Sequence, residues 1–196
     1  MFFKVVYAAV VPLLRVFFKL LFRARVYGAE NVPKSGGFIV AANHKSNFDP
    51  LVIGAFLPRK TRFLAKRELF AAAFSKWALT GLGAIPITRG GFEPSTLKTV
   101  ISLLKNNEAV LVFPEGTRRS AGIGAVKAGA VTLAVKGQVP ILPVMIAGAY
   151  RPFRGIKIIF GEPVTYGAYY GNPPPREELH RLSVALMENI YKLAEE

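Results

Sequence analysis

Between residues 2 and 22 nearly every position is apolar, and most of the exceptions fall on one stripe. Residues 1–23 read MFFKVVYAAVVPLLRVFFKLLFR. On a helix, Arg15, Lys19 and Arg23 recur every fourth residue, and Lys4, three turns before Arg15, joins the same edge. The rest of the perimeter is mostly Phe, Val, Leu and Ala. A membrane-spanning helix needs about 20 mostly apolar residues, whereas the longest uncharged run here, Val5 to Leu14, has 10. The pattern predicts an amphipathic helix lying in a membrane interface, its basic edge on lipid phosphates, with a kink at Pro12. A helix packed on a core carries a similar pattern. A signal peptide fits poorly, because cations run through the place of its small-residue cleavage site.

After Arg23 the period changes. Short apolar runs at 37–42, 61–65, 84–88, 109–113, 139–146 and 156–160 read as strands, mostly buried on both faces. Helical stretches lie between and after them at 50–57, 67–80, 94–106, 127–137 and 175–194. The alternation predicts a single α/β domain with a mixed, largely parallel sheet flanked by helices. Its expected limits are 25–196, with 1–24 as a membrane-associating helix in front. Pro140 and Pro143 predict that the 139–146 strand lies at an edge or carries a bulge. Residues 166–175 (YGAYYGNPPP) read as a loop.

Composition sharpens this picture. At 196 residues the chain suits one domain with a full core. An apolar fraction of 52% excludes disorder. Cysteine is absent, which removes disulfides, thiolate metal sites and a cysteine nucleophile. Lys and Arg number 26 against 12 Asp and Glu, a net charge of +14 that calls for anionic partners. A basic chain that is also this hydrophobic suits a membrane surface better than nucleic acid. A weaker alternative is a non-enzymatic binder of anionic lipid or nucleic acid. It rests on the charge and on the run Arg59 to Arg67, whose interleaved aromatic and apolar positions also read as a strand core.

Three polar clusters follow strands directly: Asn43 to Pro50, Thr88 to Gly91 and Pro114 to Ser120. In open α/β sheets the site lies beyond the carboxyl ends of the strands, so all three would gather on one edge. On a continuous helix His44 and Asp49 would point apart. A strand-to-helix turn instead brings the carboxylate to the imidazole, fixing its tautomer and leaving the other nitrogen as a base. Asp49-Pro50 is equally a helix start, with Asp as cap and Pro at the first helical position. A satisfied, non-catalytic histidine is the plain alternative for His44. Glu115, Gly116 and Arg118 offer a carboxylate, close backbone approach and a fork-shaped cation able to grip a phosphate, with Arg89 and Lys66 adding charge. A tight turn with surface arginines has the same composition. No G-x-S-x-G elbow, P-loop or G-x-G-x-x-G occurs, and two histidines 136 positions apart with no cysteine make a poor metal site.

Taken together, these blocks resemble those of the glycerolipid acyltransferases, the 1-acylglycerol-3-phosphate acyltransferase family. Asn43-His44-x4-Asp49 resembles the H-x4-D motif. Gly83 to Arg89 (GAIPITR) resembles the second block, Phe113 to Arg118 (FPEGTR) the third, and Val139 to Val144 (VPILPV) the proline-bearing fourth. The order matches, and the resemblance covers residues 25–165. Arg119 stands where that third block commonly has serine, with Ser120 next.

The resemblance implies transfer of a fatty acyl group from acyl carrier protein or coenzyme A to the free hydroxyl of lysophosphatidate, giving phosphatidate for phospholipid biosynthesis. It implies no metal and no cofactor beyond that thioester co-substrate. His44 would deprotonate the hydroxyl for direct attack, without an acyl-enzyme, and Asp49 would orient His44. Arg118, Arg89 and Lys66 would bind the acceptor phosphate, while Glu115, Gly116 and Thr117 shape its site. The N-terminal helix would hold the protein peripherally or monotopically at the cytoplasmic face of the cell membrane. Glycerol-3-phosphate or another lysolipid stands as an alternative acceptor.

Overall fold

The computed structural model describes residues 2–88, 93–115 and 126–195. Among these, helices α1 (Phe2–Leu21), α2 (Asp49–Phe56), α3 (Ala73–Gly81), α4 (Pro94–Lys105), α5 (Gly129–Gly137) and α6 (Arg176–Lys192) surround strands β1 (Arg25–Tyr27), β2 (Phe38–Ala42), β3 (Thr61–Lys66), β4 (Ala84–Ile87), β5 (Ala109–Val112), β6 (Ile141–Gly148) and β7 (Ile156–Phe160). The strands form one sheet in the order β1-β7-β6-β2-β5-β3-β4. Every pairing is parallel except β6 with β7. The single α/β domain with a mixed, largely parallel sheet is therefore present as expected.

The central strands are apolar on both faces because both are covered. On β2, Phe38, Val40 and Ala42 face one core with Phe18, Val52, Ile53 and Phe56. Ile39 and Ala41 face the other, built with Val100, Leu104, Leu133 and Met187. Gly37 precedes β2 where α4 crosses it so closely that a Cβ would collide with the Leu104 carbonyl.

The first helix is apolar on two sides. Tyr7, Val11, Phe18 and Phe22 are buried, and the Tyr7 hydroxyl donates to the Gly54 carbonyl at 2.7 Å. Burial pushes the Tyr7 phenol above its usual pKa. Phe18 is wholly enclosed, and truncating such a ring to alanine typically costs about 3–5 kcal/mol. Val5, Leu13, Val16, Phe17 and Leu20 instead stand in solvent on the outer side. Arg15 and Lys19 run along the flank between, and the Arg15 Nε donates to the Ala55 carbonyl at 2.9 Å. Among the described residues no helix is long and apolar enough to cross a membrane.

The β6–β7 hairpin closes the end of this helix. Arg23 takes a left-handed φ of 46°, which ends the helix, and the Ala24 amide donates back to the Phe18 carbonyl. Two carbonyls left over at the helix end then accept from the hairpin: Leu21 from the Phe153 amide at 2.7 Å, and Phe22 from the Ile156 amide at 3.1 Å.

Several expectations shift. The 139–146 strand is not at an edge, since β6 lies between β7 and β2. Nor does it carry the bulge, which lies on the segment opposite it. Val144 pairs with Phe160 and Ile141 with Val164, so three steps along β6 face four along its partner, beside Pro143 and its missing donor. A proline does mark one of the two edge strands, β4, which carries Pro86. The 67–80 helix is two pieces, a 3-10 turn at Arg67–Phe70 and then α3. The basic run from Arg59 is partly used inside the fold. Arg59 donates to the Pro33, Gly36 and Asn107 carbonyls, and Arg62 pairs with Glu108 at 2.6 Å.

Candidate active site

The chain leaves β2 through Asn43, whose side chain takes over from the backbone. Its Oδ1 accepts from the Ile146 amide at 2.8 Å and its Nδ2 donates to the Ile146 carbonyl at 3.1 Å. This fixes the next residue, His44, above the carboxyl end of the sheet.

From there the chain turns into α2, and the turn brings His44 and Asp49 together. The His44 Nδ1 lies 2.8 Å from Asp49 Oδ2. Asp49 is fully buried, and the His44 side chain is 17% exposed. The same Oδ2 accepts from the Lys45 amide at 2.6 Å and the Ser46 amide at 2.7 Å. Oδ1 accepts from the Tyr150 hydroxyl at 2.7 Å. The carboxylate thus turns back toward the preceding loop and makes no cap to its own helix, for which Phe48 is the N-cap residue. An acceptor so surrounded by donors draws the imidazole proton to Nδ1, which leaves Nε2 as the free basic nitrogen. The imidazole also stacks on Phe113, with centroids 4.0 Å apart and a 17° tilt.

Two tyrosines complete the arrangement, and neither stands out in the sequence as a functional residue. Tyr150 follows β6. Burial, and after it the charge and hydrogen bond of Asp49, hold its phenol well above the usual pKa, so it remains a donor. Its ring packs on Phe22 and Phe48. Tyr191, from α6, donates to Glu115 Oε1 at 2.7 Å. Its pKa is pushed up to about 12, by burial first and the Glu115 contact second. Glu115 Oε2 accepts from the His44 amide at 3.4 Å, so this buried carboxylate links the third block to the first.

Lys66 ends β3 on the same edge and is exposed, with no hydrogen-bonding or ionic partner among the described residues. Arg89, Gly116, Thr117 and Arg118 lie outside the described residues, as do Arg119 and Ser120. Glu93, on the far side of residues 89–92, accepts from the Thr88 hydroxyl at 2.6 Å and pairs with Arg67 at 3.6 Å. Among the described residues no three His, Cys, Asp or Glu side chains are grouped to hold a metal. A cleft of about 670 Å³ opens beside α1 between Arg15, Lys19, Arg25 and Tyr27. Its lining holds neither histidine nor carboxylate, and it lies apart from the His44–Asp49 pair.

Known proteins resemble the chain over most of its length. A family model described as Acyltransferase matches residues 23–147. The chain is 35% identical over 189 residues to the 1-acyl-sn-glycerol-3-phosphate acyltransferase of Bacillus subtilis (strain 168), with 92% of each chain covered. It is 38% identical to the human 1-acyl-sn-glycerol-3-phosphate acyltransferase alpha over 136 residues, 67% of this chain and 47% of that one. The crystal structure of the 1-acyl-sn-glycerophosphate (LPA) acyltransferase PlsC from Thermotoga maritima superposes with a TM-score of 0.70 at 30% identity. That match covers 96% of this chain and 80% of the other.

Proposed function

The chain belongs to the 1-acyl-sn-glycerol-3-phosphate acyltransferase family, and from that premise we propose how its residues carry out the transfer. The protein is an acyltransferase that converts lysophosphatidate to phosphatidate. The observation that carries the mechanism is the Asp49 carboxylate, buried and holding His44 Nδ1 at 2.8 Å.

The His44 Nε2 takes the proton of the acceptor hydroxyl as its oxygen attacks the carbonyl carbon of an acyl thioester. The tetrahedral intermediate collapses with loss of the thiolate, which recovers the proton from the imidazolium and leaves as the thiol. An ester bond forms and a thioester bond breaks, with no change in oxidation state. Asp49 stabilises the imidazolium between the two proton transfers. Arg118, Arg89 and Lys66 bind the acceptor phosphate, a role their charge and order along the chain support. Glu115 holds the His44 backbone from one side while Gly116 and Thr117 shape the acceptor site. Acyl carrier protein and coenzyme A are both anionic and suit a chain of net charge +14. The outer ridge of α1 and the exposed Phe74 and Trp77 of α3 support peripheral attachment to a membrane at its cytoplasmic face, where the lysolipid lies.

Direct attack makes a specific expectation. Protein incubated with radiolabelled acyl-CoA or acyl carrier protein and no acceptor should retain no covalent label after denaturation. Adding lysophosphatidate should then move the label into phosphatidate. A stoichiometric label on the protein that chases into phosphatidate would replace this mechanism with a two-step one.

A further inference from the structure

We propose that the tip of the β6–β7 hairpin, Arg151-Pro152-Phe153-Arg154, is a second membrane-docking element that inserts Phe153 into an anionic bilayer beside α1. The inference rests on the interfacial reading of the N-terminal helix given above.

Phe153 holds a left-handed φ of 62°. Side chains with a Cβ are disfavoured there, and such backbone persists only where the surroundings impose it. Here the Phe153 amide is tied to the Leu21 carbonyl at the end of α1. The strained position does not bury the ring, which is 61% exposed. Within the fold, then, the strained backbone is held by the Leu21 bond while most of the aromatic surface stays in water. An apolar partner outside the chain would cover that surface.

The neighbours identify the partner. Arg151 and Arg154 flank the ring, both exposed and neither with an ionic partner among the described residues. An aromatic between unpaired cations fits a surface that is apolar inside and anionic at its face. Location agrees. The hairpin caps α1 one residue past Leu20, where the exposed ridge of Leu13, Val16, Phe17 and Leu20 ends. Both elements therefore meet the same plane. Tyr150, one residue before Arg151, donates to Asp49, so seating the hairpin places the catalytic pair at the depth of the lipid headgroups.

The absence of cysteine makes the test direct. An environment-sensitive fluorophore is attached to Phe153→Cys, to Val16→Cys on the α1 ridge, or to Lys98→Cys on α4 across the sheet. Each protein is mixed with phosphatidylcholine–phosphatidylglycerol vesicles and with pure phosphatidylcholine vesicles. A blue shift at 153 and 16 but not at 98, with the anionic vesicles, is the expected result. A shift at 16 without one at 153 overturns the hairpin proposal and leaves the helix reading standing. A shift at neither overturns both. Phe153→Asn adds a second readout, because asparagine tolerates the left-handed backbone. Its melting temperature should equal or exceed wild type, while its vesicle partition falls about tenfold, the effect of one phenylalanine ring leaving apolar surroundings. A lowered melting temperature with unchanged partition would make Phe153 a structural residue and overturn the proposal.

Discussion

Replacing His44 with alanine should lower turnover on lysophosphatidate by about 10²–10⁴-fold, the usual share of a positioned general base. The fold should survive the change. Among the described residues the imidazole's one side-chain hydrogen bond is to Asp49, and that carboxylate keeps the Lys45 and Ser46 amides and the Tyr150 hydroxyl when the ring is gone. The backbone bond from His44 to Glu115 needs no side chain. Steady-state rates read beside a melting curve separate the outcomes. A folded variant that retains near-normal turnover would remove His44 from the role of base.

The second large effect falls at Asp49, and the two obvious replacements should differ. Asp49→Ala removes the acceptor that sets the imidazole, so the ring loses both its tautomer and its direction. Turnover should drop by about a hundredfold or more, approaching the His44→Ala level. Asp49→Asn has a way out. Its amide oxygen can take the place of Oδ2, accepting from His44, Lys45 and Ser46, while its nitrogen donates to the Tyr150 oxygen. The tautomer then persists and only the charge that stabilises the imidazolium is lost. Turnover of the asparagine variant should therefore lie between wild type and the alanine variant. Equal losses in the two would assign the whole effect of Asp49 to its charge. The double variant with Tyr150→Phe sharpens the test, since the asparagine nitrogen then lacks its partner and the preference between the two amide orientations weakens.

Sequence reading succeeds here where one physical constraint dominates. Runs such as Phe38 to Ala42 and Ala109 to Val112 are apolar throughout because helices cover both faces of the sheet, so no other element competes for the pattern. The His44–Asp49 pair is legible because five residues of strand-to-helix turn suffice to make it. By contrast, β1 is three residues with two exposed, held at an edge by β7 far along the chain. Nothing in Arg25-Val26-Tyr27 announces that. The prolines near β6 do mark an interrupted ladder, but whether the interruption is an edge or a bulge depends on residues 160–164, which a local window does not weigh. Tyr150 was within reach of the rule that located His44, since it too follows the carboxyl end of a strand. Tyr191 was not. It meets Glu115 from 76 residues away, and only the packing of α6 on the sheet brings it there.

The grip of Asn43 on Ile146 has a consequence for how the protein ages. Asparagine deamidates when the following backbone nitrogen folds back onto the side-chain carbonyl, and it is among the thermolabile residues. In the Asn43-His44 step both reacting partners are engaged. The side chain is pinned at Oδ1 and Nδ2 by one residue of β6, and the His44 nitrogen points its proton toward Glu115. The ring closure that would convert Asn43 to a succinimide must first break all three bonds inside a site where Asn43 is 2% exposed. Peptide mapping of protein stored warm should find deamidation first at exposed positions such as Asn106, with Asn43 intact for as long as the enzyme stays folded. The residue that positions His44 is thereby protected from becoming a carboxylate beside it.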